Sequence, residues 1–277
     1  HMRPAALGRT GSAAGGGVTR NPSSAFGRLV LIPNALDLGT DPVPLRDVLS
    51  DAALRRAASL PAWVVENAKT ARAFLKRVNE IHPLTLPLQA LAMVELPRPR
   101  KGDPAASIPG TVWRDLLAPA LAGQDLGLLS DAGLPAVADP GASLVQAAHE
   151  AGLVVEPLAG ASSLTLALAA SGLNGQRFAF EGYLPQHATE RAQRVRELEQ
   201  RSRKEGQTQL AIETPYRNQA LLESLVQLLQ PGTRLSVACG LTSPGGFCQT
   251  RSVSQWRSSP LPSMPDKLPA VFLWLAL

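Results

Sequence analysis

A chain of 277 residues, 45% hydrophobic and 18% charged, has the composition of a folded globular protein and room for two modest units, which excludes a disordered or fibrous one. Basic residues exceed acidic ones by +5, yet Arg3, Arg9 and Arg20 fall in the first 25 residues, where there is no acid, so the remainder carries only +2. Overall charge therefore selects no polyanionic partner, and two cysteines with four histidines in no zinc-binding spacing exclude a disulfide framework and point to a cytoplasmic protein without a metal.

Residues 1–25 are rich in Gly, Ala, Ser and Arg and have no apolar core, so a flexible tail is expected there and not a secretory signal; His1-Met2 resembles a cloning scar. No apolar run approaches the ~20 residues that span a bilayer, so no membrane association is expected. From Phe26 onward, short apolar runs alternate with helix-length amphipathic segments, the pattern of an α/β protein with largely parallel strands. Strands are expected at Arg28–Pro33, Ala62–Glu66, Asp125–Leu129, Leu153–Glu156, Gln207–Glu213, Thr233–Cys239 and Ala270–Leu277. Helices are expected at Ala68–Val78, Val112–Leu121, Ser143–Ala151, Ser163–Ser171, Thr189–Lys204 and Arg217–Leu229, several opening with Ser or Thr and closing at Gly. The Pro-rich stretch Leu96–Pro109 suits neither a helix nor a central strand and reads as a surface loop. A composition shift near Pro157 divides the chain into an N-terminal α/β domain, 26–156, and a C-terminal α/β domain, 157–277. Turn residues after Gly240 and alternation from Phe247 to Val253 suggest an antiparallel hairpin near a sheet edge.

Three strand-to-helix connections could carry chemistry. In LLSDAGLPAVADPG, Leu128–Gly141, glycines permit close backbone approach, Asp131 and Asp139 can accept hydrogen bonds from a ligand, and Pro135 and Pro140 stiffen the loop at the place where α/β sheets bind ligands. The same residues are the commonest turn formers, so a long turn is the plain alternative. In PLAGASS, Pro157–Ser163, Ser162 and Ser163 either cap the next helix or present hydroxyls to a ligand; if the two strands are neighbours, both loops point into one crevice. In ETPYRN, Glu213–Asn218, Pro215 suits a helix start, Thr214 is an N-cap candidate, and Glu213 and Arg217 lie near the strand's carboxyl end. His149 near a helix end suits the dipole, and His187 opens a helix. The segment Thr189–Lys204 holds six basic and three acidic residues, either a solvated face or an RNA-facing one. No glycine-rich dinucleotide or P-loop motif and no GxSxG elbow occurs.

In order, SDAGLPAVADPG, PLAGASSLTLALAASGL, FAFEGYLP and ETPYRN resemble the class III S-adenosylmethionine-dependent methyltransferases, the tetrapyrrole methylase family, and within it the ribosomal RNA small subunit methyltransferase I branch; the resemblance is dense from about Leu126 to Asn218. It implies a two-domain α/β homodimer with the methyl donor in the cleft between the domains. Matched by motif, Ser130, Asp131, Ala132 and Gly133, continued by Pro135 to Asp139, correspond to the first donor-binding loop, and Gly160, Ala161, Ser162 and Ser163 to the second, where Ala159 replaces the usual Pro. Leu31–Gly39 stands where the branch has a proline-glycine-asparagine loop, which makes Pro33 a donor contact and places Asn34, with Thr214 and Arg217, toward the acceptor. The intervening glycine is absent, the glutamate-aspartate-threonine-arginine segment is represented by VENAKTAR, and an arginine-glutamate-leucine-threonine stretch becomes Cys239 to Thr242.

Methyl transfer from a sulfonium needs alignment and exclusion of water, and a ribose 2'-hydroxyl acceptor also needs a base or cation beside it. Glu66, Lys69 and Glu213 are the candidates, in that order. Three functions are compatible with these residues: 2'-O-methylation of ribosomal RNA in the small subunit, methylation of a small molecule such as a tetrapyrrole, and donor binding without turnover.

Overall fold

The computed structural model describes residues 25–37, 43–99 and 108–277, so the expected tail and most of the Pro-rich loop lie outside the described residues. The first five strands are β1 (Arg28–Ile32), β2 (Ala62–Val65), β3 (Ala92–Glu95), β4 (Leu126–Leu129) and β5 (Val154–Pro157), which pair in the order β3-β2-β4-β1-β5, all parallel. Their apolar runs are continuous because both faces are covered. Val30, Ile32, Trp63 and Val65 meet the helices Asp51–Ala58 and Ala68–Ile81 on one face. On the other, Leu29, Val64, Leu126 and Leu128 meet Gly110–Leu116, Ala118–Leu121 and Ala142–Glu150. Gly127 in β4 makes room for the Trp63 indole, since a Cβ there would lie 2.5 Å from a ring carbon. The expected single helix over Val112–Leu121 is two helices, broken at Leu117 because Pro119 offers no N–H to continue the ladder.

The second sheet comprises β6 (Phe178–Tyr183), β7 (Thr208–Ile212), β8 (Arg234–Cys239), β9 (Phe247–Ser252) and β10 (Ala270–Leu275), in the order β6-β7-β10-β8-β9. Only β6 and β7 are parallel; β10 enters antiparallel between β7 and β8, and β9 closes an antiparallel edge against β8. The expectation of largely parallel strands thus holds for the first sheet and fails for the second, whereas the expected antiparallel edge at Phe247 is present. The strand β10 is buried along its whole length, which is why AVFLWL carries no polar alternation. The helices Ala188–Glu205 and Asn218–Leu228 cover one face of this sheet.

The helix Ser163–Ser171 follows β5 of the first sheet but packs on β8 and β10 of the second, burying Ala167 and Leu168 against Val271 and Leu273. Residues 158–162 therefore carry the chain from one unit to the other. They leave β5 beside β1, and the connection after β4 leaves from the opposite side of β1.

Candidate functional site

At the carboxyl end of β1, Pro33 and Asn34 form the keel of the site. Asn34 pairs with Gly133 through both backbone groups, at 3.0 and 2.9 Å, and its buried side-chain amide donates to the carbonyls of Ser130 at 3.0 Å and Asp131 at 3.3 Å. Four bonds from one residue thus fix the loop after β4. On the other side of β1, Gly160 lies so close to Pro33 that a Cβ would stand 2.3 Å from the proline Cβ and 2.7 Å from its Cγ. The two loops do not belong to neighbouring strands, as the crevice argument required; each neighbours β1, and they converge across it.

Between the units lies a cleft of about 280 Å³. Asn34, Ala132, Gly133, Asp139, Ala161, Ser162 and Ser163 line it from the first unit and its crossover, and Glu213 lines it from the second. Ser162 has the extended backbone of an N-cap, yet its hydroxyl makes no cap hydrogen bond, leaving it available to the cleft together with the first N–H groups of the following helix. Of the other members of the sequence-derived donor set, Pro33, Ser130 and Pro135 are buried, whereas Asp131 and Gly160 are exposed and line neither face of the cleft. Ser130 is buried under its loop and donates to the Ala132 carbonyl at 3.1 Å. Pro135 is buried, and Pro33 and Gly160 pack on each other.

The candidate base residues separate. Glu66, at the end of β2, accepts the Asp131 N–H at 2.8 Å, and Asp131 accepts the Thr70 hydroxyl at 2.6 Å. Asn67 caps the helix Ala68–Ile81 by accepting from the N–H groups of Lys69 and Thr70 at 2.9 and 3.1 Å, and the exposed Lys69 is not part of the cleft lining. Burial, reinforced by the charges of Glu66 and Asp131, pushes the Asp139 carboxyl up to about 6. Glu213 alone of the three lines the cleft; its Oε1 accepts from the Thr214 N–H at 2.8 Å and hydroxyl at 3.2 Å. Thr214 therefore turns to Glu213, while Arg217 stacks on the Tyr216 ring, 5.3 Å from its centre, and lines a second cavity.

Sequence reasoning missed the part of the cleft lining that the second unit supplies through Tyr183, Leu241, Thr242 and Pro269. Thr242 has φ of 71°, a left-handed conformation uncommon for a β-branched residue. Its signal was present in the altered CGLT stretch, and Tyr183 stands in FAFEGYLP.

These features define a two-unit α/β protein that builds a ligand cleft at strand carboxyl ends without a glycine-rich phosphate loop. Residues 89–249 match the family described as Tetrapyrrole (Corrin/Porphyrin) Methylases, and the chain belongs to that family. It is similar to Ribosomal RNA small subunit methyltransferase I of Synechocystis sp., 42% identical over 129 residues that make up 47% of this chain and 45% of the relative. The protein of the same name from Pseudomonas aeruginosa is 42% identical over 106 residues, 38% of this chain and 35% of the relative. The chain thus matches less than half the length of each of these relatives. The fold is also that of the methyltransferase CobJ, at 16% identity and a TM-score of 0.53 over 89% of this chain and 93% of that one.

Proposed function

We propose that the protein is an S-adenosylmethionine-dependent methyltransferase that acts on the ribose 2'-hydroxyl of ribosomal RNA in the small subunit. The observation that carries the reading is the convergence, in one cleft, of the free Ser162 hydroxyl at a helix N-terminus with the carboxylate of Asp139. A donor with a carboxylate, ribose hydroxyls and a cationic centre fits such a lining: the helix N-terminus suits its carboxylate, Ser162 its polar groups, and Asp139 its positive charge. S-adenosylmethionine, when bound, supplies a methyl group already activated on a sulfonium. The chain's part is then to align it, exclude water with Tyr183, Leu241 and Thr242, and take the acceptor's proton.

In this reading Glu213 is the base, since it borders the donor cleft, and Glu66 and Lys69 act through the loop and helix they belong to. The remaining lining residues, Ala132, Gly133, Ala161 and Ser163, shape the donor cavity, and Ser130, Asp131, Pro33, Asn34, Pro135 and Gly160 hold its walls. The units 26–156 and 157–277 work as two domains on either side of the cleft. A homodimer is supported by Phe178 and Phe180, exposed on the edge strand β6, and by Leu166, exposed on a helix that is apolar around its circumference. Among the described residues no helix is long and apolar enough to cross a membrane, and a cytoplasmic location completes the proposal.

Calorimetric titration with S-adenosylmethionine and S-adenosylhomocysteine, followed by methyl transfer to small ribosomal subunits, tests it. Micromolar binding, about −8 kcal/mol, with RNA methylation is expected. Binding with transfer only to a tetrapyrrole replaces the acceptor, binding without any transfer leaves a donor-binding protein, and no binding of either ligand refutes the reading.

A further inference from the structure

A second cavity of about 380 Å³ lies in the C-terminal unit, lined by Gln186, His187, Arg191, Glu213 and Arg217 among others. It meets the donor cleft at Glu213, which lines both. Its charge differs from that of the first cleft. The helix Ala188–Glu205 carries six basic residues between Thr189 and Lys204, and most of those flanking the cavity's arginine are spent within the fold. Arg194 and Arg201 both pair with Glu181, at 2.9 and 2.7 Å, and Arg203 donates to the Leu277 carbonyl at 3.1 Å. Arg191 forms no ion pair among the described residues. Its Nη1 donates to the Gln186 carbonyl at 2.9 Å, which fixes the guanidinium at the cavity, and its buried Nε has no partner. Arg217 is held only by the Tyr216 ring and likewise has no ion pair among the described residues. The N-cap His187 lines the cavity and makes no side-chain cap bond, so the N-terminus of an 18-residue helix adjoins this space without a side-chain cap.

We propose that this cavity is a phosphodiester-binding subsite that seats the acceptor RNA strand beside the donor cleft, with Arg191 and Arg217 holding a phosphate. The inference rests on the RNA reading above and extends it. Two guanidiniums, that of Arg191 fixed by the Gln186 carbonyl, and a helix N-terminus match the planar donors and partial positive charge that a phosphate selects. With the phosphate at that end, the neighbouring ribose lies toward Glu213, the one carboxylate on the boundary, which is also where the methyl group must arrive. The basic helix therefore contributes to RNA binding through Arg191 at its first turn, not through its whole face.

The test is anisotropy of a labelled oligouridylate titrated with the full chain, over salt from about 50 to 200 mM, beside calorimetric titration with S-adenosylhomocysteine. Each phosphate contact adds about 0.7 to the slope of log affinity against log salt, or roughly a threefold larger loss of affinity across that range. Arg191→Gln with Arg217→Gln, which removes the contact to that phosphate, is expected to lower the slope by about 0.7, and Arg217→Gln alone by a measurable part of it. Affinity for S-adenosylhomocysteine is expected to stay unchanged, and Arg196→Gln, which removes an exposed charge from the same helix, to leave the slope unchanged. Arg191→Gln can loosen the turn at Gln186, so Arg217→Gln carries the test independently. Equal slopes for wild type and Arg217→Gln, with RNA bound and methylated, overturn the subsite and leave the RNA reading standing. Failure of the wild type to bind oligouridylate while it still binds S-adenosylhomocysteine overturns the RNA reading and the subsite together.

Discussion

In the proposed reading, the carboxyl of Asp139 makes donor binding dependent on pH in a range where ordinary carboxylates no longer titrate. Its pKa stands near 6 because burial disfavours the charge and because Glu66 and Asp131 face it as neighbouring carboxylates. A cationic donor binds the ionised form, so affinity follows the ionised fraction, which is about 0.97 at pH 7.5 and about 0.09 at pH 5 for a single group of that pKa. Affinity for S-adenosylmethionine should therefore fall up to about tenfold, or about 1.4 kcal/mol, between those pH values. Asp139→Asn, close in shape and neutral, should bind at pH 7.5 about as weakly as the wild type does at pH 5, with the pH dependence removed. The same group gives a check that needs no ligand. Because the folded-state pKa is raised above the unfolded value, near 3.8, the stability that Asp139 contributes is present below about pH 4 and lost as pH rises through 6. Asp139→Asn should accordingly melt above the wild type at pH 7.5, and the difference should vanish at pH 4. Calorimetric titrations at both ends of the range, paired with thermal melts, decide it. A wild-type affinity that is flat from pH 7.5 to 5, or an Asp139→Asn protein that keeps the wild-type slope, would refute the reasoning.

Gly160→Ala forces a methyl group to 2.3 Å from a proline ring, so one loop must move; overpacking of this kind costs about 1–3 kcal/mol and lowers the melting temperature by about 2–4 °C for each. Donor affinity should fall with it, whereas Gly175→Ala, with open space around its Cβ, should change neither. Asn34→Ala removes two side-chain hydrogen bonds and strands the Ser130 and Asp131 carbonyls, at a cost of about 1–3 kcal/mol and with weaker donor binding; an unchanged melt would show that the loop holds itself. Glu213→Gln should slow methyl transfer by about 10²–10⁴-fold with S-adenosylhomocysteine affinity retained, and a variant that transfers at the wild-type rate removes Glu213 as the base.

Much of the fold is legible because burial on both faces leaves no ambiguity. All seven expected strands exist within a residue or two, and Ser163–Ser171 and the glycine-capped Ala188–Glu205 lie where the pattern puts them. The strands that escaped, β3 and β6, are edge strands whose AMVE and FAFEGY runs are half-exposed and lack a continuous apolar signal. The helix Asp51–Ala58 escaped although Ser50 caps it, because DAALRRAA buries little more than small residues and one leucine. Pairing is a different kind of quantity from propensity. Nothing local in AVFLWL specifies that β10 runs antiparallel between β7 and β8, since the partners are some 30 to 60 residues away and the constraint is the shared core with Trp256 and Leu235.

The same distinction governs the site. A loop motif marks the residues that a ligand loop requires, without dividing those that touch the ligand from those that hold the loop. Asp131 and Asp139 are chemically alike and eight residues apart, yet the first is exposed and tied to Thr70 and Glu66 while the second lines the cleft, where burial raises its pKa. Asn34 resembles a substrate contact and spends its amide on two carbonyls. Arg191 is the converse case. By sequence it is one of six like charges on a solvated helix, and what singles it out is that Glu181 neutralises Arg194 and Arg201 while the turn at Gln186 holds Arg191 at a cavity. The charge proposed to be functional is thus one that the fold both leaves without an ion pair among the described residues and holds at a cavity, and it becomes visible only when the ion pairs of its neighbours and the cavity lining have been placed.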